Sequence, residues 1–210
     1  ADKCAALGVR HVFMVTGGGA MHLNHSLGTH PQLECIFNHH EQACAMGAEA
    51  YYRLNNKLAL VNVTSGPGGT NAITGVYGAF VDSVGLVVIS GQVKYETTVR
   101  STGLPLRQFG DQELDIEELV RPITKYCVMV TDPKTIRYHL EKAFYLATSG
   151  RPGPVWLHIP LDVQSAKIDP VTLAGFDPSE LHEPWKSTDL GAAAEAIFQR
   201  LRKARRPVVF

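Results

Sequence analysis

The chain has 210 residues, 45 % of them hydrophobic and 19 % charged, a globular balance that excludes a disordered tail or a low-complexity linker. Twenty basic residues against twenty acidic ones give a formal net charge of zero, so no long-range field favours nucleic acid or an anionic membrane. No apolar run reaches the length of a membrane span, and no signal peptide is expected.

Along the chain, residues 1–7 read as the last turns of a helix closed by Gly8. Short apolar runs rich in valine and isoleucine follow at residues 11–15, 33–37, 58–63, 85–90, 126–130 and 154–159. Helical patterns fall between most of them, at 20–27, 41–54, 70–81 and 133–149. The last begins with Asp132 as N-cap and Pro133 at the first helical position, and Gly150 closes it. Continuous apolar strands alternating with helices imply an α/β fold: a doubly wound, mainly parallel six-stranded sheet with helices on both faces. Residues 92–110 carry no clear period and read as a long loop, the kind that usually serves function.

The expected organisation is a domain over 1–167, a polar linker over 168–188 containing Pro170, Pro178 and Pro184, and a new α/β unit from 189. In that last unit a helix precedes a strand starting at Pro207. The basic run Arg200–Arg206 sits at a helix end, where cations complement the dipole. The apolar run is cut at Phe210 and the opening helix has no N-cap, so the expectation is a piece of a longer polypeptide. Cys4, Cys35, Cys44 and Cys127 lack CxxC spacing, which points to buried thiols in a cytoplasmic protein.

Three segments could carry chemistry. Gly17-Gly18-Gly19 follows the first strand, but His22 occupies the third glycine position of a dinucleotide fingerprint. Ser65-Gly66-Pro67-Gly68-Gly69-Thr70-Asn71 follows the third, and no lysine completes a phosphate loop. His40-Glu41 begins like a zinc-protease motif, but Ala43 stands where a second histidine is needed, so no metal site is assigned. Two glycine-rich turns at the ends of parallel strands favour a ligand crevice. Glu41 taken alone reads as an ordinary acid in the first turn of a helix.

Together these segments resemble the N-terminal, pyrimidine-binding domain of the thiamine diphosphate enzymes of the acetolactate synthase and 2-oxoacid decarboxylase type. The resemblance runs through Gly8-Val9-Arg10-His11-Val12-Phe13, Gly17-Gly18-Gly19-Ala20, His40-Glu41-Gln42, Thr64–Asn71, Gly91-Gln92-Val93 and Gly150-Arg151-Pro152-Gly153-Pro154-Val155, in the family's order. It implies that Glu41 hydrogen-bonds the pyrimidine nitrogen of thiamine diphosphate and so prepares the cofactor to lose its thiazolium proton. It also implies that Pro67 and Gly68 border the ring, that Asn71, Gly17 and Gly18 lie in the cofactor pocket or at a subunit interface, and that Gln112 lies on the substrate side. A carboxyl group in a dry cleft suits such proton exchange.

Magnesium and the diphosphate are expected on a GDG-type motif in a separate domain. The other half of the site then belongs to a second subunit of a homodimer or homotetramer, and the substrate is a 2-oxoacid. Helices 41–54 and 70–81 carry many small residues, fit either for that interface or for packing within the domain. The chain departs from acetolactate synthases at Asp111, where they carry a phenylalanine, and at His39, where they commonly carry an arginine. A carboligase and a decarboxylase both remain open, and a non-catalytic nucleotide-binding regulatory domain is the alternative of another class.

Overall fold

A computed structural model describes residues 1–181 and 189–208. Positions 182–188 of the expected linker, and Val209 and Phe210 of the expected last strand, lie outside the described residues. The elements in order are α1 (Asp2–Ala6), β1 (His11–Met14), α2 (Met21–Gly28), β2 (Glu34–Phe37), α3 (Glu41–Asn55), β3 (Leu60–Val63), α4 (Pro67–Val81), β4 (Leu86–Gln92), α5 (Val99–Thr102), α6 (Ile116–Val120), β5 (Tyr126–Met129), α7 (Ile136–Thr148), β6 (Pro154–Pro160), α8 (Leu161–Gln164) and α9 (Leu190–Lys203). The six strands form one sheet in the order β2-β1-β3-β4-β6-β5, and every pairing is parallel.

Burial follows from that order. The central strands β3, β4 and β6 are buried at every position, whereas the edge strands β2 and β5 are only partly covered. Side chains alternate between the two faces of a strand. Val87, Ile89, Val155 and Leu157 therefore meet α7 residues Leu140, Ala143 and Phe144 on one face. Leu86, Val88, Val61 and Trp156 meet Ala45, Ala48, Ala72, Val76 and Ile116 on the other.

The small residues of α3 and α4 let these two helices approach closely. A Cβ at Gly75 would lie 2.6 Å from that of Ala45, so packing within the domain accounts for that pair. The helix-end signals are in place: Asp132 Oδ1 accepts the Lys134 amide at 2.9 Å, and Gly150 adopts φ 57° just beyond α7.

Two readings need correction. Helix α4 starts at Pro67 rather than Thr70, because proline suits the first helical position and packing outweighs the poor propensity of Gly68 and Gly69. The stretch 92–110 is not wholly irregular: it holds the end of β4, a 3-10 turn at Tyr95–Thr97 and the single turn α5. Helix α6 was not anticipated from the sequence either.

Backbone contacts divide the chain into two compact units, Ala1–Phe176 and Asp177–Phe210. Among the described residues no helix is long and apolar enough to cross a membrane. The first unit reaches past residue 167 because Glu141 on α7 gathers its ends. Its carboxylate pairs with Lys3, accepts Arg137 Nε at 3.0 Å and takes the Phe176 amide at 2.8 Å. Burial alone would push the pKa of this carboxyl up, but Lys3, the Phe176 amide and Arg137 together bring it down to about 2.

A carboxyl depressed in the folded state stabilises above its unfolded value and loses that contribution as pH falls. Glu141→Gln is therefore expected to cost about 1–2 kcal/mol at neutral pH, after discounting for solvent at this rim position. The difference from wild type should vanish between about pH 5 and pH 2 in urea titrations. A deficit that stayed constant over that range would show that Glu141 acts through packing rather than charge.

Candidate functional site

The sheet order reverses between β1 and β3. The chain leaves β1 toward β2 on one side and returns to β3 on the other, which opens a crevice at the carboxyl ends of these strands. Three connections converge there: the Gly17–Gly19 turn after β1, the segment Asn38–Glu41 after β2, and the Thr64–Gly68 turn after β3.

Glu41 is the first residue of α3. His40 precedes it as N-cap in extended conformation, with Nδ1 accepting the Gln42 amide at 3.2 Å. This cap turns the Glu41 side chain inward, where it is only 8 % exposed, an unusual state for a carboxylate without an ion-pair partner among the described residues. Its Oε2 accepts a hydrogen bond from Asn71 Nδ2, on α4, at 2.9 Å. Its Oε1 faces Gly68, where an added Cβ would stand 3.5 Å away. One carboxylate oxygen is thus fixed by an amide, and the other looks over a glycine. One turn along, the Cys44 thiol is pushed up to about 11, chiefly by burial with the Glu41 charge adding to it, so it stays neutral at physiological pH.

Thr64 organises the glycine turns. Its Oγ1 accepts the Gly19 amide at 3.1 Å, and a Cβ at Gly17 or Gly68 would come within 2.5 Å or 2.8 Å of its side chain. Asn24 Nδ2 donates to the Gly17 carbonyl at 3.2 Å, and Gln164 Nε2 donates to the Gly19 carbonyl at 2.7 Å. Gly18 has open space where a side chain would go, and Pro67 is exposed at the start of α4.

Gln112 reaches the crevice through its backbone. It adopts φ 53°, and its carbonyl oxygen lies where a Cβ on Gly66 would stand 2.2 Å away. The next residue holds this loop in shape. Both Glu113 carboxylate oxygens accept the Val99 amide at 2.9 Å, and Oε1 also accepts the Phe109 amide at 2.7 Å. One side chain therefore closes the loop from Val99 to Glu113.

The structure thus brings Glu41, Asn71, Gly68 and Gly17 together around Thr64, and Gln112 against Gly66. Gly18 and Pro67 lie at the rim. Thr64 lies in the resembling run 64–71, but neither it nor Glu113 receives a role from the sequence. Their roles depend on which strands are neighbours and on amides 14 and 4 residues away from Glu113, which no local pattern reveals.

Residues 1–119 match the family described as thiamine pyrophosphate enzyme, N-terminal TPP binding domain. The chain is 37 % identical over 206 residues to the acetolactate synthase large subunit of Buchnera aphidicola, covering 97 % of this chain and 34 % of that protein. It is 33 % identical to the acetolactate synthase large subunit of Lactococcus lactis over 97 % of this chain and 34 % of the relative. It is 35 % identical to the chloroplastic acetolactate synthase of Arabidopsis thaliana, again over 97 % of this chain and 29 % of the relative. The chain spans about a third of the length of the curated relatives it matches.

Proposed function

This chain belongs to the thiamine pyrophosphate enzymes as their N-terminal TPP-binding domain, and from that premise we propose that Glu41 is the acid with which it activates the cofactor for a reaction on a 2-oxoacid. The observation that carries the reading is the buried Glu41 carboxylate, held at Oε2 by Asn71 and open at Oε1 over Gly68. Such a group fits a pyrimidine edge: an acceptor of fixed direction beside a floor without a side chain. Thiamine diphosphate would supply a carbon acid that, once deprotonated, adds to the carbonyl of the substrate.

In this reading Glu41 holds and exchanges a proton at the ring nitrogen, and Asn71 fixes the carboxylate rotamer. Gly68, Pro67 and the Gly17-Gly18 turn border the ring, and Gln112 lies toward the substrate. Magnesium and the diphosphate would be held outside this chain. A second subunit, of a homodimer or homotetramer, would complete the site. The exposed apolar side chains Met46, Tyr77, Phe80 and Val81 on α3 and α4 support such a contact. The four free cysteines accord with a reducing, cytoplasmic setting.

An acetolactate synthase-like carboligase is the first reading of the reaction. The exposed Asp111 beside Gln112 keeps a 2-oxoacid decarboxylase as the second, because a carboxylate there would disfavour a second anionic 2-oxoacid as acceptor.

The full-length protein crystallised with thiamine diphosphate and magnesium should show the pyrimidine ring within hydrogen-bond reach of Glu41. The 210-residue chain alone should bind the cofactor weakly and turn nothing over. A ring bound away from Glu41, or submicromolar affinity of this chain by calorimetry, would overturn the half-site reading.

A further inference from the structure

A cavity of about 360 Å³, whose lining does not include Glu41, lies beside the loop closed by Glu113 at the carboxyl ends of β4 and β5. Its volume is in the range of small-molecule sites. Val99, Leu106, Leu114, Leu119 and Met129 supply the apolar wall. The polar groups of the lining can be accounted for one by one. Gln92 Nε2 donates to the Leu114 carbonyl at 2.9 Å, and Gln92 Oε1 accepts the Val93 amide at 3.0 Å. Thr98 Oγ1 donates to the Tyr95 carbonyl at 2.7 Å. Arg100 is bound by Asp115 at 2.9 Å and by Glu117 at 2.9 Å, and Glu113 is taken up by the Val99 and Phe109 amides.

Arg107 is the exception. It lines the cavity as an exposed side chain, and no hydrogen bond or ion pair holds it among the described residues. A guanidinium offers five N–H donors in a fork that matches a carboxylate or phosphate. Here it stands over an apolar chamber whose other polar groups are already engaged. The chamber is also preformed, because the Glu113 carboxylate and the Arg100 bridge to α6 hold its roof and wall.

We propose that this cavity is a binding site for a small amphipathic monoanion, its acidic group on Arg107 and its aliphatic part against Leu106, Leu114, Leu119 and Met129. The site is separate from Glu41 and does not depend on the cofactor reading, so its test needs no thiamine diphosphate.

Hexanoate, hexanol and hexylammonium serve as probes, added separately to the protein and followed by methyl chemical shifts. Hexanoate should shift the Met129, Leu106, Leu114 and Leu119 methyls saturably. Hexanol should bind more weakly at the same place, and hexylammonium not at all. Arg107→Gln should weaken hexanoate about tenfold, the worth of a charge-assisted hydrogen bond, and leave hexanol unchanged. Leu119→Glu, at an exposed position of α6, should abolish hexanoate binding while the remaining spectrum stays native. The proposal fails if hexanoate leaves these methyls unmoved at millimolar concentration. It also fails if hexanoate binds Arg107→Gln as well as wild type, or if hexylammonium binds equally.

Discussion

Glu41→Gln in the full-length enzyme is expected to lower the maximal rate by about 10²–10⁴-fold, the usual contribution of a positioned acid or base. The side chain keeps its size, and an amide can still face Asn71, but it can neither hold nor release a proton. Asn71 Nδ2 donates to Oε2 at 2.9 Å, so a glutamine would orient its own oxygen toward Asn71. Its NH₂ group would then face Gly68, presenting a donor where an acceptor stood. Exchange of the thiazolium proton, followed by NMR after rapid quenching, should slow in parallel with turnover. The fold should survive, since the first-turn charge is worth only about 0.3–1 kcal/mol to the helix. Glu34→Gln is the control: that carboxylate is 73 % exposed on the edge strand β2, and its ion-pair partner among the described residues is His11. Should Glu41→Gln exchange and turn over like Glu34→Gln, Glu41 is a helix-start acid and nothing more.

The sheet was readable in the sequence because its central strands are predominantly apolar runs rich in valine, leucine and isoleucine. Leu60–Val63 and Pro154–Pro160 are buried on both faces, and the one polar residue in each, Asn62 and His158, is buried too, bonded to Asn24 and Ser90. Helix α6 escaped because five residues, Ile116–Val120, do not complete two turns and so show no period. The start of α4 escaped for a different reason. Gly66-Pro67-Gly68-Gly69 has the composition of a loop, and tertiary packing outweighs that propensity: Gly69 lies so close to Ile116 that an added Cβ would stand only 3.2 Å from its side chain.

The same division holds for the site. Glu41 could be located by its place between a strand and an alanine-rich helix, and its role came from the resemblance. Its partner Asn71 lies 30 residues away and meets it only because β1 and β3 are neighbours. Thr64 and Glu113 act by contacts across the crevice and across a loop. Such contacts become visible only when the strand order β2-β1-β3-β4-β6-β5 is known.

Gly66→Ala should be among the most damaging single substitutions in the crevice, and Gly18→Ala among the mildest, although both replace glycines in strand-to-helix turns. Gly66 caps α4 at φ 53° and ψ −113°, a backbone state that side chains with a Cβ rarely adopt, costing about 1–3 kcal/mol. A second cost is steric and independent of the first. The new Cβ would stand 2.2 Å from the Gln112 carbonyl oxygen, so either the α4 turn or the loop must move by about 1 Å to regain contact distance. The loop resists, because Glu113 fastens it to the Val99 and Phe109 amides. The turn resists, because Gly68 sits against Thr64 and Glu41. Urea unfolding should therefore show a loss of about 2–4 kcal/mol for Gly66→Ala. At Gly18 an added Cβ meets nothing within 4 Å, and the change should stay within about 0.5 kcal/mol. Truncating the opposing side chain offers a sharper test. Gln112→Ala should not rescue Gly66→Ala, since the obstructing atom is a backbone oxygen that every residue carries. Rescue by that second substitution would place the conflict in the Gln112 side chain, and equal losses at Gly66 and Gly18 would remove the geometric argument altogether.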